Sequence, residues 1–463
     1  MLRAKDKATE IVRTLRQHGH QAYLVGGCVR DLLLGREPAD YDVATDATPD
    51  AVMRIFPRTW AVGAQFGVVL VPVDGHELTG PAPGPPNEAG FASGCMPPGQ
   101  KVVEVATFRS DGLYTDGRHP EEVTYTRDPK EDVQRRDFTI NGLLLDPLNN
   151  EVLDYVGGRA DLEAGIIRTI GAPERRFAED KLRMLRAVRF AARFGYQIAP
   201  ATFDAIRNLR SQIHLVSRER VRDEILKMLT EGHARRAFEL LDETGLLKDI
   251  LPEVDRMHGV QQPPQFHPEG DVWVHTLLLL EGLPEKASPT LAMGALLHDV
   301  GKPPTFRVAP DRIRFDGHVE VGVKMAEEIC HRLRFSKHDT EQIARLVANH
   351  MRFADVREMK PSTLKKFFRL PRFQEHLELH RLDCLASHRD LSLYNYVREK
   401  LAALPPEQIR PKPLLTGDDL IAMGYAPGPQ FKQMLTAVED AQLEGRLENP
   451  EQAREFLRRE FPN

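Results

Sequence analysis

An apolar run, "AYLV" (residues 22–25), stops at Gly26-Gly27 and gives way at once to "CVRDLLLG". A strand does not run on through two glycines, so the chain is committed here to a strand, a sharp turn and a short helix ended by Gly35. Such a junction brings bare backbone N–H groups and a helix N-terminus to one point, which suits a polyphosphate. Arg30, one turn in, adds a charge-assisted contact. A plain turn explains many Gly-Gly pairs equally well. The next run, "YDVAT" (41–45), reads as a strand with Asp40 and Asp42 two apart. Residues i and i+2 of a strand share a face. Two carboxylates on one face repel unless a divalent cation sits between them, and Mg²⁺ favours carboxylates together with substrate phosphates. The plainer reading is a solvated loop, "EPADYD", whose acids do nothing.

The neighbourhood alternates. Residues 1–20 form an amphipathic helix around Ile11 and Leu15, and "TPDAVMRIFP" offers a Thr48 cap with Pro49 at the first helical position. "FGVVLVPV" (66–73) and "KVVEVATFR" (101–109) read as strands. Interleaved strands and helices make this an α+β or α/β unit. Between the last two strands lie 26 residues, 75–100, with six Pro and six Gly, read as a long mobile excursion with no packed element. Beyond about residue 150 the pattern is helical nearly to the end, with breaks at 263–271, 404–417 and 425–430 and no internal repeat. The 463 residues allow about three domains at roughly 100–200 residues each. The net charge of −5 means that any RNA contact must come from local basic patches. Cys28, Cys95, Cys330 and Cys384 have no CxxC spacing, which fits a reducing compartment. No apolar signal core and no run of 18 apolar residues is present, so the expected location is cytoplasmic, with no membrane partner.

Glu104, in "VVEVATFR", adds a third carboxylate from a neighbouring strand. Two metals held by three carboxylates can activate an attacking hydroxyl and stabilise a leaving pyrophosphate. Taken together, "GGCVRD…LG…DYDVAT" resembles the class II nucleotidyltransferases, the family of tRNA CCA-adding enzymes and bacterial poly(A) polymerases. The resemblance implies that Asp40 and Asp42 bind catalytic Mg²⁺. "EDVQRRDFTINGLLLD" (131–146) is similar to the family's RRDFTxN motif, which implies nucleotide contact by Arg136 and a ribose- and metal-side role for Asp137 and Asn141. Turn capping is the plainer role for the last two.

"RRFAEDKLRMLRAVRFAARFG" (175–195) reads as a helix with Leu182, Leu185, Val188 and Ala192 buried. Asp180 and Arg183 are i and i+3, ordinarily a surface ion pair of about 0.2–0.5 kcal/mol. The matching family motif, EDxxR, implies instead that they read the Watson–Crick edge of the incoming base. The chemistry agrees, since cytosine and adenine each present an amino donor beside an acceptor. Arg186 and Arg189 continue at spacing three, a basic strip suited to triphosphate or a solvated helix face. The segment 108–129 resembles the family's flexible loop, which favours full CCA addition.

The second half carries His275, the adjacent pair His298-Asp299, then His318, His350 and Asp383. Imidazole with carboxylate suits Zn, Ni, Mn or Fe, and an aspartate can bridge two ions. The order resembles the HD phosphohydrolases, which implies a metal-bound water attacking phosphate esters; a metal-free scaffold is the other reading. The expected fold is α+β: a nucleotidyltransferase head (mixed sheet with helices, 1–150), an all-α neck and body (151–262), an HD domain (263–400) and a helical tail (401–463). The expected function is CCA addition from CTP and ATP to tRNA with Mg²⁺, with a transition metal in the HD domain. Poly(A), CC-only or A-only addition remains open, as does an HD phosphohydrolase with an RNA-binding N-terminal half.

Overall fold

The computed structural model describes residues 3–56, 59–61, 67–73, 101–111, 123–263, 268, 270–310 and 312–462. The Pro/Gly-rich segment 75–100 and the middle of the 108–129 loop lie outside the described residues, as does Cys95. The chain forms two compact units, one of residues 1–224 with 236–250 and one of 225–235 with 251–463.

The first unit opens with α1 (Ala4–Gln17), which buries Ala8, Ile11, Val12 and Leu15. Among the described residues up to Asp154, nine strands follow: β1 (Ala22–Val25), β2 (Asp42–Thr45), β3 (Trp60–Ala61), β4 (Val68–Pro72), β5 (Val102–Thr107), β6 (Arg109–Asp111), β7 (Val123–Tyr125), β8 (Leu143–Asp146) and β9 (Glu151–Asp154). Seven of them make a mixed sheet in the order β3-β4-β5-β2-β1-β8-β9, and β6 with β7 forms a separate ribbon. All neighbours are antiparallel except β2 and β5, which run parallel with Asp42 opposite Glu104. Alternation therefore sends Val43 and Val105 to one face, where they are buried, and Asp42 and Glu104 to the other. Val25 and Ala44 anchor a small core on that second face with Phe108, Val133 and Leu144.

The short helices are placed by their caps. In α2 (Gly27–Leu33), Gly26 stands before the first turn at φ +76°, a backbone state only glycine enters freely. In α3 (Pro49–Ile55), Thr48 Oγ1 accepts from the Ala51 N–H with Pro49 at the first position, as expected. Asp128 caps α4 (Pro129–Gln134). Helices dominate from there, starting with α5 (Gly158–Ala164), but two short ladders interrupt them: Ile166–Ile167 beside Gln197–Ile198, and Arg307–Val308 beside Ile313–Arg314. Two-residue ladders leave no periodicity for a sequence to show.

The expected single helix over 175–195 is two, α6 (Pro173–Glu179) and α7 (Arg183–Phe194). Asp180 between them is extended (φ −145°, ψ 107°), and its side chain accepts from the Leu182 N–H at 3.0 Å, starting the second helix afresh. The predicted stripe of Leu182, Leu185, Val188 and Ala192 is buried as expected.

The second unit is helical. Val272–Glu281, capped by Asp271, and Pro289–Leu297, capped by Ser288, are apolar on nearly every side and run through its interior. Two further helices, Lys337–Asn349 and Phe373–Ala386, pack on them. Residues 415–457 have an apolar cluster of their own, around Leu420, Met434, Val438 and Leu457. Cys28, Cys330 and Cys384 are buried free thiols.

Candidate active site and metal centre

One cleft of about 450 Å³ in the first unit is lined by Gly26, Gly27, Arg30, Asp42, Arg136, Asp137, Asn141, Asp180, Arg183 and Arg186, with Arg135, Leu182, Phe190 and Arg220. Residues spread over nearly 200 positions thus meet around one space. Gly26 is required by its φ of +76° and not by clearance, since at either glycine a Cβ would make only ordinary contacts. A Cβ on Gly26 would sit 3.4 Å from Arg136 Nη1, and one on Gly27 would sit 3.5 Å from Arg30 Nη2.

The acids of the head behave as a repelling group. Burial, then Glu104, then Asp40 push the Asp42 carboxyl up to about 6, against the pull of Arg136. Burial and Asp40 likewise raise Glu104. An oxygen-only set under mutual repulsion is what a hard divalent cation relieves. The same-strand argument needs correction, however. Asp40 lies in an exposed bend ahead of β2, which begins at Asp42, because Pro38 and the turn at 39–40 delay the strand. Asp40 is also not among the residues lining the cleft.

Arg136 and its neighbour Arg135 share the buried carboxylate of Asp132, at 3.0 and 2.7 Å. Asp137 accepts from Arg186 Nη2 at 2.6 Å, from Asn141 Nδ2 at 3.1 Å and from the Phe138 N–H at 2.8 Å. Burial alone would raise its carboxyl, but Arg186, Asn141 and Arg183 hold it down at about 2. Two predicted arginines are engaged within the protein, Arg30 while still lining the cleft and Arg189 away from it. Arg30 is buried, donates to Asp31 and to Asn141 Oδ1 (2.6 Å), and stacks on Phe190 and Phe194. Arg189 is turned inward, with Nε 2.7 Å from Glu224 Oε2, and does not line the cleft; the basic strip ends at Arg186. A helix advances about 100° per residue, so three steps carry Arg189 about 60° round, enough to leave the cleft.

Asp180 and Arg183 both line the cleft and are joined through the backbone, Arg183 N–H to the Asp180 carbonyl at 3.1 Å, while their side chains take other partners. Asp180 Oδ2 accepts from Arg220 Nη2 at 2.7 Å. Arg183 donates to Glu179 Oε2 (2.7 Å), to the Arg176 carbonyl (3.2 Å) and to the Arg135 carbonyl (3.1 Å). Sequence reasoning passes over Asp132, Glu179 and Arg220. Glu179 is four residues before Arg183, a spacing that could have exposed it. Nothing local joins Arg220 to Asp180, 40 residues earlier.

In the second unit all six predicted residues converge. Donor atoms of His275, His298 and Asp383 lie within 4.8 Å of one another, and so do those of Asp299, His318 and His350. Asp299 faces both sets: Oδ2 is 3.2 Å from His298 Nε2, and Oδ1 is 3.7 Å from His350 Nε2. His298, His318 and His350 each point Nδ1 at a backbone carbonyl, of Ala295, Phe315 and Val347. Donation there leaves Nε2 with a bare lone pair turned inward, the arrangement of metal-ligating histidines. Among the described residues the buried Nε2 atoms of His318 and His350 have no hydrogen-bond partner, and His275 Nε2 faces His298 Nε2 at 3.2 Å. Burial pushes His350 down to about 4, so its imidazole is neutral at physiological pH, the state in which it could ligate a metal. Burial would raise Asp299 and Asp383, yet the surrounding imidazoles, and for Asp299 also Lys302 at 2.7 Å, draw both well below the usual carboxylate range. Lone pairs and anions aimed at one point fit a borderline transition metal far better than an empty core.

Comparison with known proteins identifies what the two parts of the chain are similar to. Residues 22–81 and 87–168 match a family described as the poly A polymerase head domain. Residues 195–257 match one described as the probable RNA and SrmB- binding site of polymerase A, and 267–370 match the HD domain. A CCA-adding enzyme from Bacillus pumilus (strain SAFR-032) is 40% identical over 295 residues, 64% of this chain and 63% of the relative. One from Geobacillus stearothermophilus is 43% identical over 241 residues, 52% of this chain and 53% of the relative. The chain thus spans less than two thirds of the length of these curated relatives. The crystal structure of the Bacillus stearothermophilus CCA-adding enzyme in complex with CTP covers 99% of this chain and 98% of its own, with a TM-score of 0.72 at 27% identity.

Proposed function

The chain belongs to the nucleotidyltransferase family of CCA-adding enzymes and poly(A) polymerases, with an HD domain after the head in sequence, and from that premise we propose that it adds C, C and A to tRNA 3′ ends from CTP and ATP in the cytoplasm. One observation carries the reading: Gly26-Gly27, Asp42, Arg136, Asp137 and the Asp180/Arg183 pair line a single cleft. Asp40, Asp42 and Glu104 would hold Mg²⁺. Bound there, Mg²⁺ would activate the attacking 3′-hydroxyl and offset charge on the leaving pyrophosphate. The turn at Gly26-Gly27 lets the triphosphate approach the backbone, and Arg136 and Arg186 supply charge beside it. Asp137 and Asn141 fix Arg186 and Arg30 in place. Asp180 accepts the amino group of cytosine or adenine while Arg183 donates to the neighbouring ring acceptor. The test is incubation with tRNA ending at the discriminator base, Mg²⁺ and CTP, ATP or both, followed by sequencing of the ends. CCA only with both nucleotides is expected. A homopolymeric A tail, or arrest at CC or at A with both present, overturns it.

A second activity is favoured by the unpartnered Nε2 atoms of His318 and His350. The two ligand sets would each take a divalent transition metal, Zn, Ni, Mn or Fe, with Asp299 between them. Metals held there would supply an activated water for hydrolysis of phosphomonoester or 2′,3′-cyclic phosphate at RNA ends. Lys302, held between Asp299 and Gln262 Oε1 (2.6 Å), stands beside them as a cation for the phosphate.

A further inference from the structure

Asp180 and Arg183 each have an oppositely charged support. Three acceptors fix Arg183: Glu179 Oε2 and the carbonyls of Arg176 and Arg135. Asp180 is fixed through both carboxylate oxygens, Oδ1 by the Leu182 N–H at 3.0 Å and Oδ2 by Arg220 Nη2 at 2.7 Å. Arg220 comes from a different helix, Arg218–Thr230, and lines the same cleft. Asp180 itself sits on extended backbone between α6 and α7. No helix fixes its direction, so two contacts set the position of Oδ2: the Leu182 N–H holds Oδ1, and Arg220 holds Oδ2 against rotation about that anchor.

We propose that Arg220 is a positioning residue for nucleotide choice: it holds the Asp180 carboxylate aimed into the cleft, so that an amino-bearing base is accepted and a carbonyl-bearing base is refused. This rests on the reading that Asp180 meets the base edge. A carboxylate oxygen has more than one lone-pair direction, so Oδ2 accepts a base amino group while keeping Arg220. Uracil presents a carbonyl where cytosine has its amino group, and guanine does so where adenine has its own. A fixed, charged Oδ2 repels that carbonyl and leaves it without a donor, the kind of mismatch that gives strong discrimination. An Asp180 free to swing away would not repel it. Arg220 therefore acts through Asp180 and not on the base.

The test uses the full-length protein with R220Q, R220M, R220K and D180N, and steady-state addition to tRNA lacking CCA, with CTP, ATP or UTP. R220Q and R220M should raise KM for CTP and ATP about tenfold, equal to the loss of about 1.4 kcal/mol of binding. They should raise UTP use relative to CTP by a similar factor, while kcat falls less than KM rises. R220K should recover part of both losses, and R220Q should add nothing in a D180N background. If D180N admits UTP while folded R220Q and R220M keep the parent's KM and exclusion, Arg220 plays no part and the role of Asp180 stands. If D180N itself leaves exclusion intact, the reading of Asp180 falls and this inference with it. Failure of both neutral variants to fold would make Arg220 a structural residue and also overturn the proposal.

Discussion

Burial beside Glu104 and Asp40 pushes the Asp42 carboxyl up to about 6, so at neutral pH the ionised group strains the fold that holds it. A carboxylate with a raised folded-state pKa withdraws stability as pH rises from its unfolded value, near 4, through about 6. Above that the loss is complete, on the order of 1–3 kcal/mol. Asp42→Asn should therefore abolish nucleotide addition and yet raise the melting temperature in chelator at pH 7.5, with little gain at pH 4. A variant that melts earlier than the parent in chelator would contradict the repulsion. Asp137 has the opposite sign. Its folded value of about 2 gives stability that is present above about 4 and lost as pH falls through about 2. Arg183→Ala tests the base edge directly. It should relax the choice among C, A, U and G more than it slows addition, and a uniform fall in all rates with unchanged misincorporation would exclude base reading.

At the scale of elements, much of the site was legible because its chemistry lies in short motifs. The Gly-Gly turn, the acid pair and the His-Asp pair each occupy a few adjacent residues. Orientation was not legible. Whether Arg186 or Arg189 reaches the cleft depends on about 60° of helix rotation and on Glu224, 35 residues further along the chain. The break at Asp180 was invisible because the apolar spacing runs through it unbroken, and one Asx-type bond to Leu182 decides it. Helix approach was equally hidden. A Cβ at Gly301 would lie 2.1 Å from the His318 carbonyl oxygen and 2.6 Å from Gly322 N, so the loop after His298-Asp299 must lie bare against the helix that begins at His318. Gly301→Ala should force that helix away at a penalty of about 1–3 kcal/mol or more. Metal titration should then show weaker binding at the Asp299/His318/His350 set, with nucleotide addition retained. Unchanged metal affinity and melting would mean that the contact yields freely.

For the whole molecule, the ligand chemistry of the two compact units differs in kind. The head offers oxygen alone, from Asp40, Asp42 and Glu104, while the second unit mixes imidazole from His275, His298, His318 and His350 with the carboxylates of Asp299 and Asp383. Hard and borderline cations would sort between such sets, Mg²⁺ to the first and a transition metal to the second. Every ligand of each set belongs to its own unit, so removing one set leaves the other's ligands in place. An RNA end that carries a phosphate has no free hydroxyl to extend, which gives a hydrolase on the same chain a use. Asp299→Ala should thus remove hydrolysis of 2′,3′-cyclic phosphate or phosphomonoester, together with bound transition metal by elemental analysis, while nucleotide addition survives. Asp42→Asn should do the reverse. The assay crosses both variants with both substrates in Mg²⁺ and in Ni²⁺. Loss of both activities in a folded Asp299 variant would show that the two chemistries are coupled. A parent protein that hydrolyses neither substrate with Ni²⁺, Mn²⁺, Zn²⁺ or Fe²⁺ would reduce the histidine cluster to a scaffold.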